Sequence, residues 1–176
     1  MKSVSPINTI TGGGKTKKQN RMQADKIVVV RAERKKVEGK NIFFLFTASQ
    51  VEEVLLDITL LPLPFAPSFL QGICGWRGHV TPVVDIEGRF GFLGTDETVK
   101  DRFLVVRTGM PENSAEKKIL RCVLQVSGQI HTMEISASSS MVSVDQIGVE
   151  PSLVRGVYQW EDDFFIVPDL VSILQN

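Results

Sequence analysis

From residue 26 to the C-terminal end, the apolar residues of this chain come in short runs, several of them bounded by Gly, Pro, Asp or Ser. Runs at 27–30, 41–46, 80–86, 103–107, 119–126, 130–135, 141–144, 154–160 and 164–167 are too short for stable packed helices and are rich in Val, Ile and Phe. That texture predicts β-strands. Glu38-Gly39-Lys40 supplies a turn between the first two runs, and Glu161-Asp162-Asp163 another between the last two, so each pair reads as a hairpin. In the 119–126 run, Leu120, Cys122, Leu124 and Val126 alternate with Arg121 and Gln125, as in a half-buried strand, although Val123 breaks the alternation. Many short strands joined by tight turns point to small barrels or a sandwich.

A few stretches read differently. Residues 47–57 predict a short helix, with Thr47 or Ser49 as its cap and Glu52 and Glu53 near its positive end. Pro62 and Pro64 forbid a continuous helix or central strand through residues 60–64. Residues 66–72 predict one or two helical turns, with Pro67 early and Gly72 as the stop. Asp169 is placed to cap a final turn over 170–174, whose Leu170, Ile173 and Leu174 share one face. Residues 111–118 are expected to form an exposed polar loop.

Length bounds the architecture: 176 residues with 43% hydrophobic and 23% charged fit one domain with a tail. Residues 1–25 lack periodicity and read as a flexible basic arm, leaving 26–176 as the domain. Net charge is zero but unevenly spread. Residues 1–40 hold 11 Lys+Arg against 3 Asp+Glu, and residues 41–176 hold 9 against 17. A basic arm can suggest nucleic acid, but this one lacks interleaved aromatics to stack on bases, and the body is acidic. A solvated tail is the simpler expectation. Cys74 and Cys122 are too few and too distant for a disulfide framework. No apolar run reaches the roughly 18 residues of a spanning helix, and the first 20 residues hold no signal-peptide core. The expectation is a cytoplasmic protein without membrane insertion.

Catalytic chemistry is hard to assemble. Gly14-Lys15-Thr16 ends like a phosphate-binding loop, but the glycine that pattern needs at position 9 is Thr9, and no buried strand precedes it. Cys74 and His79 lie five residues apart, a spacing of neither a zinc knuckle nor a recognised nucleophile pair. Asp85 and Glu87 are expected on one side of a strand, entering the Gly88 turn. No triad and no metal set emerge, so the sequence predicts a non-enzyme with no cofactor, metal or small-molecule substrate.

The most informative stretch is residues 66–90, APSFLQGICGWRGHVTPVVDIEGRF. Trp76 and Arg77 stand between Gly75 and Gly78, and glycines at both sides let the backbone bend sharply enough to present Arg77 on a corner. An aromatic beside an arginine on such a corner is hot-spot composition for a protein interface. Here the chain resembles the CheW-like family. That family's P-x-F-hydrophobic-x-G-hydrophobic run matches Pro67, Phe69, Leu70, Gly72 and Ile73, its N-L-R-G matches Gly75-Trp76-Arg77-Gly78, and its next strand matches Pro82, Val83, Val84 and Asp85. Val51, Glu53 and Val54 match its V-x-E-hydrophobic element, and Gly156, Ile166-Val167 and 169–174 match its closing segments. Gly75 and Trp76 replace the family's Asn and Leu, and Val126-Ser127-Gly128-Gln129 lacks the acid of its V-D-G-V turn.

The resemblance implies a mostly β fold of two intertwined five-stranded SH3-like barrels, with short helical turns and a helical turn at the C-terminal end. It also implies a non-catalytic adaptor that couples the cytoplasmic tip of methyl-accepting chemoreceptors to the regulatory domain of a CheA-type histidine kinase, in chemotaxis or in a type IV pilus or other chemosensory pathway. Val51, Glu53, Gly72, Trp76, Arg77 and Gly78 are the partner-binding candidates. Arg77 would supply charge-assisted hydrogen bonds, Val51 an apolar contact to a helix in a groove, and the glycines backbone geometry. Two competing classes are a small-barrel nucleic-acid module and a hydrolase using Cys74 and His79.

Overall fold

A computed structural model describes residues 26–94, 101–109, 119–134 and 139–175. The arm with its glycine-lysine run, the 111–118 loop and Ile135 lie outside the described residues. The chain opens with β1 (Ile27–Val37) and β2 (Lys40–Thr47), then β3 (Val51–Leu55), β4 (Leu60–Leu61), β5 (Leu70–Trp76), β6 (His79–Asp85) and the short helix α1 (Ile86–Arg89). It continues through β7 (Arg102–Gly109), β8 (Ile119–Val126), β9 (Ile130–Met133), β10 (Ser140–Val142), β11 (Val154–Trp160) and β12 (Asp163–Pro168), and ends in α2 (Leu170–Gln175).

Two six-stranded sheets result, ordered β10-β11-β12-β2-β1-β9 and β4-β5-β6-β8-β7-β3. Both follow one plan. A parallel pair lies at the centre, β12 with β2 in the first sheet and β6 with β8 in the second. An antiparallel hairpin flanks it on each side: β11–β12 and β1–β2, or β5–β6 and β7–β8. The chain gives β1–β2 to the first sheet, β3–β8 to the second, and then returns for β9–β12, so the two halves are intertwined. Mostly-β architecture in two units was expected. The strand count is six per sheet rather than five, and among the described residues no backbone ladder closes either sheet into a barrel.

Packing explains why the strands read as near-continuous apolar runs. Phe44, Phe46, Ile42, Leu104, Leu124, Val126, Ile166, Phe90 and Phe92 meet in one core shared by both sheets. The opposite faces are also covered. Val83, Val105 and Val123 form a second cluster with Cys74 and Trp76, and Val29, Leu45 and Phe165 a third. Val123 breaks the alternation of β8 because that strand is buried on both faces.

Two expected helices are corrected. Residues 47–57 contain β3, not a helix: Val51, Val54 and Leu55 have helix-like spacing, but their backbone is claimed by β7 through pairs such as Val51↔Val106 and Leu55↔Phe103. Residues 66–72 end in β5. Gly72 marks a bulge in the β5–β6 ladder rather than a helix stop. Asp85 and Glu87 do not share a strand face either. β6 stops because the Asp85 Oδ1 accepts the Gly88 N–H at 3.1 Å and caps α1. The closing turn is as expected, with Asp169 Oδ1 accepting the Val171 N–H at 3.0 Å at the start of α2.

Candidate functional site

The β5–β6 hairpin turns on Arg77 and Gly78 alone, since Trp76 pairs directly with His79. Both turn residues have positive φ, 47° and 78°, as a two-residue turn requires to match strand twist. Arg77 accepts a left-handed backbone, which thrusts its side chain outward, and 65% of that side chain is exposed.

Glu53, from edge strand β3, completes the corner. Its Oε2 accepts the Trp76 indole N–H at 2.9 Å and the Arg77 guanidinium at 3.1 Å. The guanidinium also lies over the Trp76 ring, 4.7 Å from its centroid. One carboxylate oxygen thus fixes a buried aromatic and orients an exposed cation. The contact spans from an edge strand of the second sheet to the strand next to its other edge, so the sheet curls far enough for side chains to bridge it.

Of the residues singled out from sequence, Glu53, Trp76, Arg77 and Gly78 come together. Val51 does not join them as an open contact; it is half-buried and packs against the shared core. Gly72 acts at a distance. A Cβ there would stand 2.3 Å from the Leu61 carbonyl oxygen, so its missing side chain lets β4 approach β5.

Sequence reading missed two charge networks whose partners lie far apart in the chain. Glu52 accepts Arg121 Nε at 2.7 Å and lies 3.8 Å from Arg107. The Arg121 hydrogen bond, opposed in part by burial and helped by Arg107 and Arg77, holds the Glu52 carboxyl below its ordinary range. The second network clamps the sheets: Arg34 of β1 reaches Asp85 at 2.5 Å, and its backbone N–H donates to Glu87 at 2.7 Å. Glu87 is buried, and burial pushes its carboxyl up despite the β1 N–H donors and Arg34.

Neither cysteine is activated by its surroundings. Burial raises the Cys74 thiol and pushes the Cys122 thiol up to about 12, so neither sulfur offers a thiolate near neutral pH. Cys74 faces the Trp76 cluster while His79 is exposed on the hairpin. Among the described residues no group of three His, Cys, Asp or Glu is placed to hold a metal ion, and no helix is long and apolar enough to cross a membrane.

Comparison with known proteins places this geometry. Residues 27–176 match the family model for the CheW-like domain. The chain is 24% identical to the chemotaxis protein CheW of Rhizobium meliloti (strain 1021) over 125 residues, covering 65% of this chain and 69% of that protein. The crystal structure of the scaffolding protein TtCheW from Thermoanaerobacter tengcongensis superposes with a TM-score of 0.62 at 21% identity, over 87% of this chain and 94% of that one. At that identity the structural likeness is one of fold.

Proposed function

The chain belongs to the CheW-like domain family, and on that premise we propose that it is a non-catalytic scaffold of chemotaxis-type signalling, docking a CheA-type histidine kinase and chemoreceptor helices in the cytoplasm. The observation that carries the docking role is the oriented Arg77: an exposed guanidinium held by Glu53 and backed by a buried tryptophan. A cation fixed before binding loses little side-chain freedom when it meets a carboxylate on a partner helix.

The test is a pull-down of the cognate kinase and receptor fragments by wild type and Arg77→Ala. Exposed ion pairs contribute roughly 0–1 kcal/mol to stability, so the variant folds and its loss reports on binding. Affinity is expected to fall by about 1–3 kcal/mol, roughly five- to 150-fold in Kd. A folded wild type that captures neither partner sinks the reading.

Trp76 also favours a second, related reading. Its indole N–H ties up Glu53, which the leucine of the resembled N-L-R-G could not do. Such a corner suits a dedicated partner from a type IV pilus or other chemosensory pathway. Preference for that pathway's kinase over a chemotaxis kinase, measured side by side, distinguishes the two.

A further inference from the structure

Strict alternation would send successive residues of β3 to opposite faces of the second sheet, yet Glu52 and Glu53 both serve its outer face. The β3–β7 ladder pairs Val51 with Val106 and Glu53 with Val105, so Glu52 is the extra residue of a bulge. Val51 keeps its contact with the shared core, while Glu53 reaches Trp76 and Glu52 reaches Arg121. Trp76 clusters on the outer face with Val105 and Val123, and Arg121 stands two residues before Val123 on the same strand.

Arg107 joins them. It pairs directly with Arg121 across β7 and β8, a meeting of like charges that costs stability unless something neutralises it. Glu52 does so in part. Its Oε2 accepts Arg121 Nε at 2.7 Å, and its Oε1 accepts Arg121 Nη2 at 3.3 Å and lies 3.8 Å from Arg107 Nη1. Arg107 is fixed further by donating from Nε to the Ser49 carbonyl at 3.0 Å. Glu53 meanwhile holds Arg77 at 3.1 Å, and Arg77 is near enough to help lower the Glu52 carboxyl. Among the described residues, three guanidiniums thus converge on two adjacent carboxylates, with one positive charge in excess. The Glu52 side chain is 16% exposed, whereas those of Arg121, Arg107 and Arg77 are 33%, 44% and 65% exposed. What faces solvent is a patch of oriented cations.

The setting of this patch selects its partner. Residues 41–176 hold 17 Asp+Glu against 9 Lys+Arg, and such an acidic body repels a phosphate backbone at long range. A few carboxylates on a protein segment need only the local patch. Guanidinium forks match carboxylates two donors at a time. Glu52 takes the Nε and Nη2 side of the Arg121 fork, which leaves its Nη1 outside that pair.

We propose that Arg107 and Arg121 extend the Arg77 corner into one binding surface for an acidic protein segment, two or more carboxylates meeting the three guanidiniums side by side. The proposal rests on the docking role of Arg77 and adds the chemistry of the partner. Glu52 and Glu53 orient the cations beforehand, so the incoming carboxylates meet donors whose freedom is already restricted.

The test measures Kd and association rate of the full chain with the cognate kinase and receptor fragments at several salt concentrations. Arg107→Gln and Arg121→Gln are each expected to weaken binding about three- to tenfold and to flatten its salt dependence. Glu52→Gln separates docking from support: it removes the anchor but raises the charge of the patch, so binding should tighten at low salt. If Arg121→Gln does not fold, the double variant Glu52→Gln/Arg121→Gln removes both charges together and should bind more weakly than Glu52→Gln. Unchanged binding by both arginine variants, with Arg77→Ala still weakened, overturns the extension and leaves the docking role standing. Weakening by Glu52→Gln overturns it in favour of a network that only holds β3 in place. If wild type captures neither fragment, the docking role fails, and the probe becomes a helical peptide with Glu along one face, set against its Gln counterpart. Movement of the Arg107 and Arg121 Nε–H signals by the Glu peptide alone supports the acidic-segment surface, and their stillness overturns it. Movement of the same signals by a single-stranded oligonucleotide overturns the assignment in favour of nucleic acid.

Discussion

Glycine positions separate two ways a residue without a side chain can matter. Gly78 has φ of +78° and open space around its Cα, so an added methyl meets only backbone strain. Gly72 has φ of +152°, and a Cβ added there would stand 2.3 Å from the Leu61 carbonyl oxygen and 3.0 Å from the Pro62 Cα. Gly78→Ala should therefore cost about 1–2 kcal/mol, and Gly72→Ala about 3 kcal/mol or more, since strain and a backbone clash add. Urea unfolding of the two variants checks the order, and a larger loss at Gly78 would contradict it. The same two residues show how much of the site can be read from sequence. Glycines around Trp76-Arg77 announce a tight corner, and the structure supplies one. Nothing near Trp76 in the chain announces Glu53, which lies 23 residues away and meets the indole only because the sheet curls.

Hairpins were the most legible elements, because their turn chemistry is local. Val37↔Lys40 and Trp160↔Asp163 close where Glu38-Gly39 and Glu161-Asp162 suggested. Elements fixed by distant partners were not legible: β3 looked helical until β7 claimed its backbone, and the Asp85–Glu87 pair gained its meaning from Arg34, 51 residues from Asp85. That clamp yields a pH prediction. The Glu87 carboxyl is raised in the folded protein, chiefly by burial, so between its unfolded and folded values the native state holds more of the proton. Stability from this group is full below the ordinary carboxyl value and is lost as pH rises through the folded one. Glu87→Gln mimics the protonated form. The variant should lose this fall in stability above about pH 4.5 and gain on wild type toward neutral pH. Denaturant midpoints from pH 4 to 8 measure it, and an unchanged pH slope would exclude the clamp as the source. Glu52 works in the opposite direction: its carboxyl is lowered by Arg121, so its contribution is lost as pH falls.

At the scale of the molecule, the intertwined chain and the shared core predict that the two sheets unfold as one body. β1 and β2 cannot leave the first sheet without stripping Phe44 and Phe46 from a core that Leu104, Leu124 and Phe90 of the other half also build. Phe44 lies 5.1 Å from the Phe90 ring and 6.0 Å from Phe92, both of which follow the second sheet's β6 in the chain. Removing its ring opens a cavity between the halves, and Phe44→Ala should cost about 3–5 kcal/mol. The informative quantity is where that loss appears. Trp76 reports on the second sheet and Trp160 on the first, and fluorotryptophan resolves both in a single sample. If the core couples the sheets, both lines move to the unfolded position at one denaturant concentration in wild type, and both shift together in the variant. A first sheet that unfolds while Trp76 keeps its native line would mean that the halves are independent domains. In that case a partner could loosen one without disturbing the other. Coincident transitions would instead mean that a contact at the Arg77 corner is felt by the whole fold.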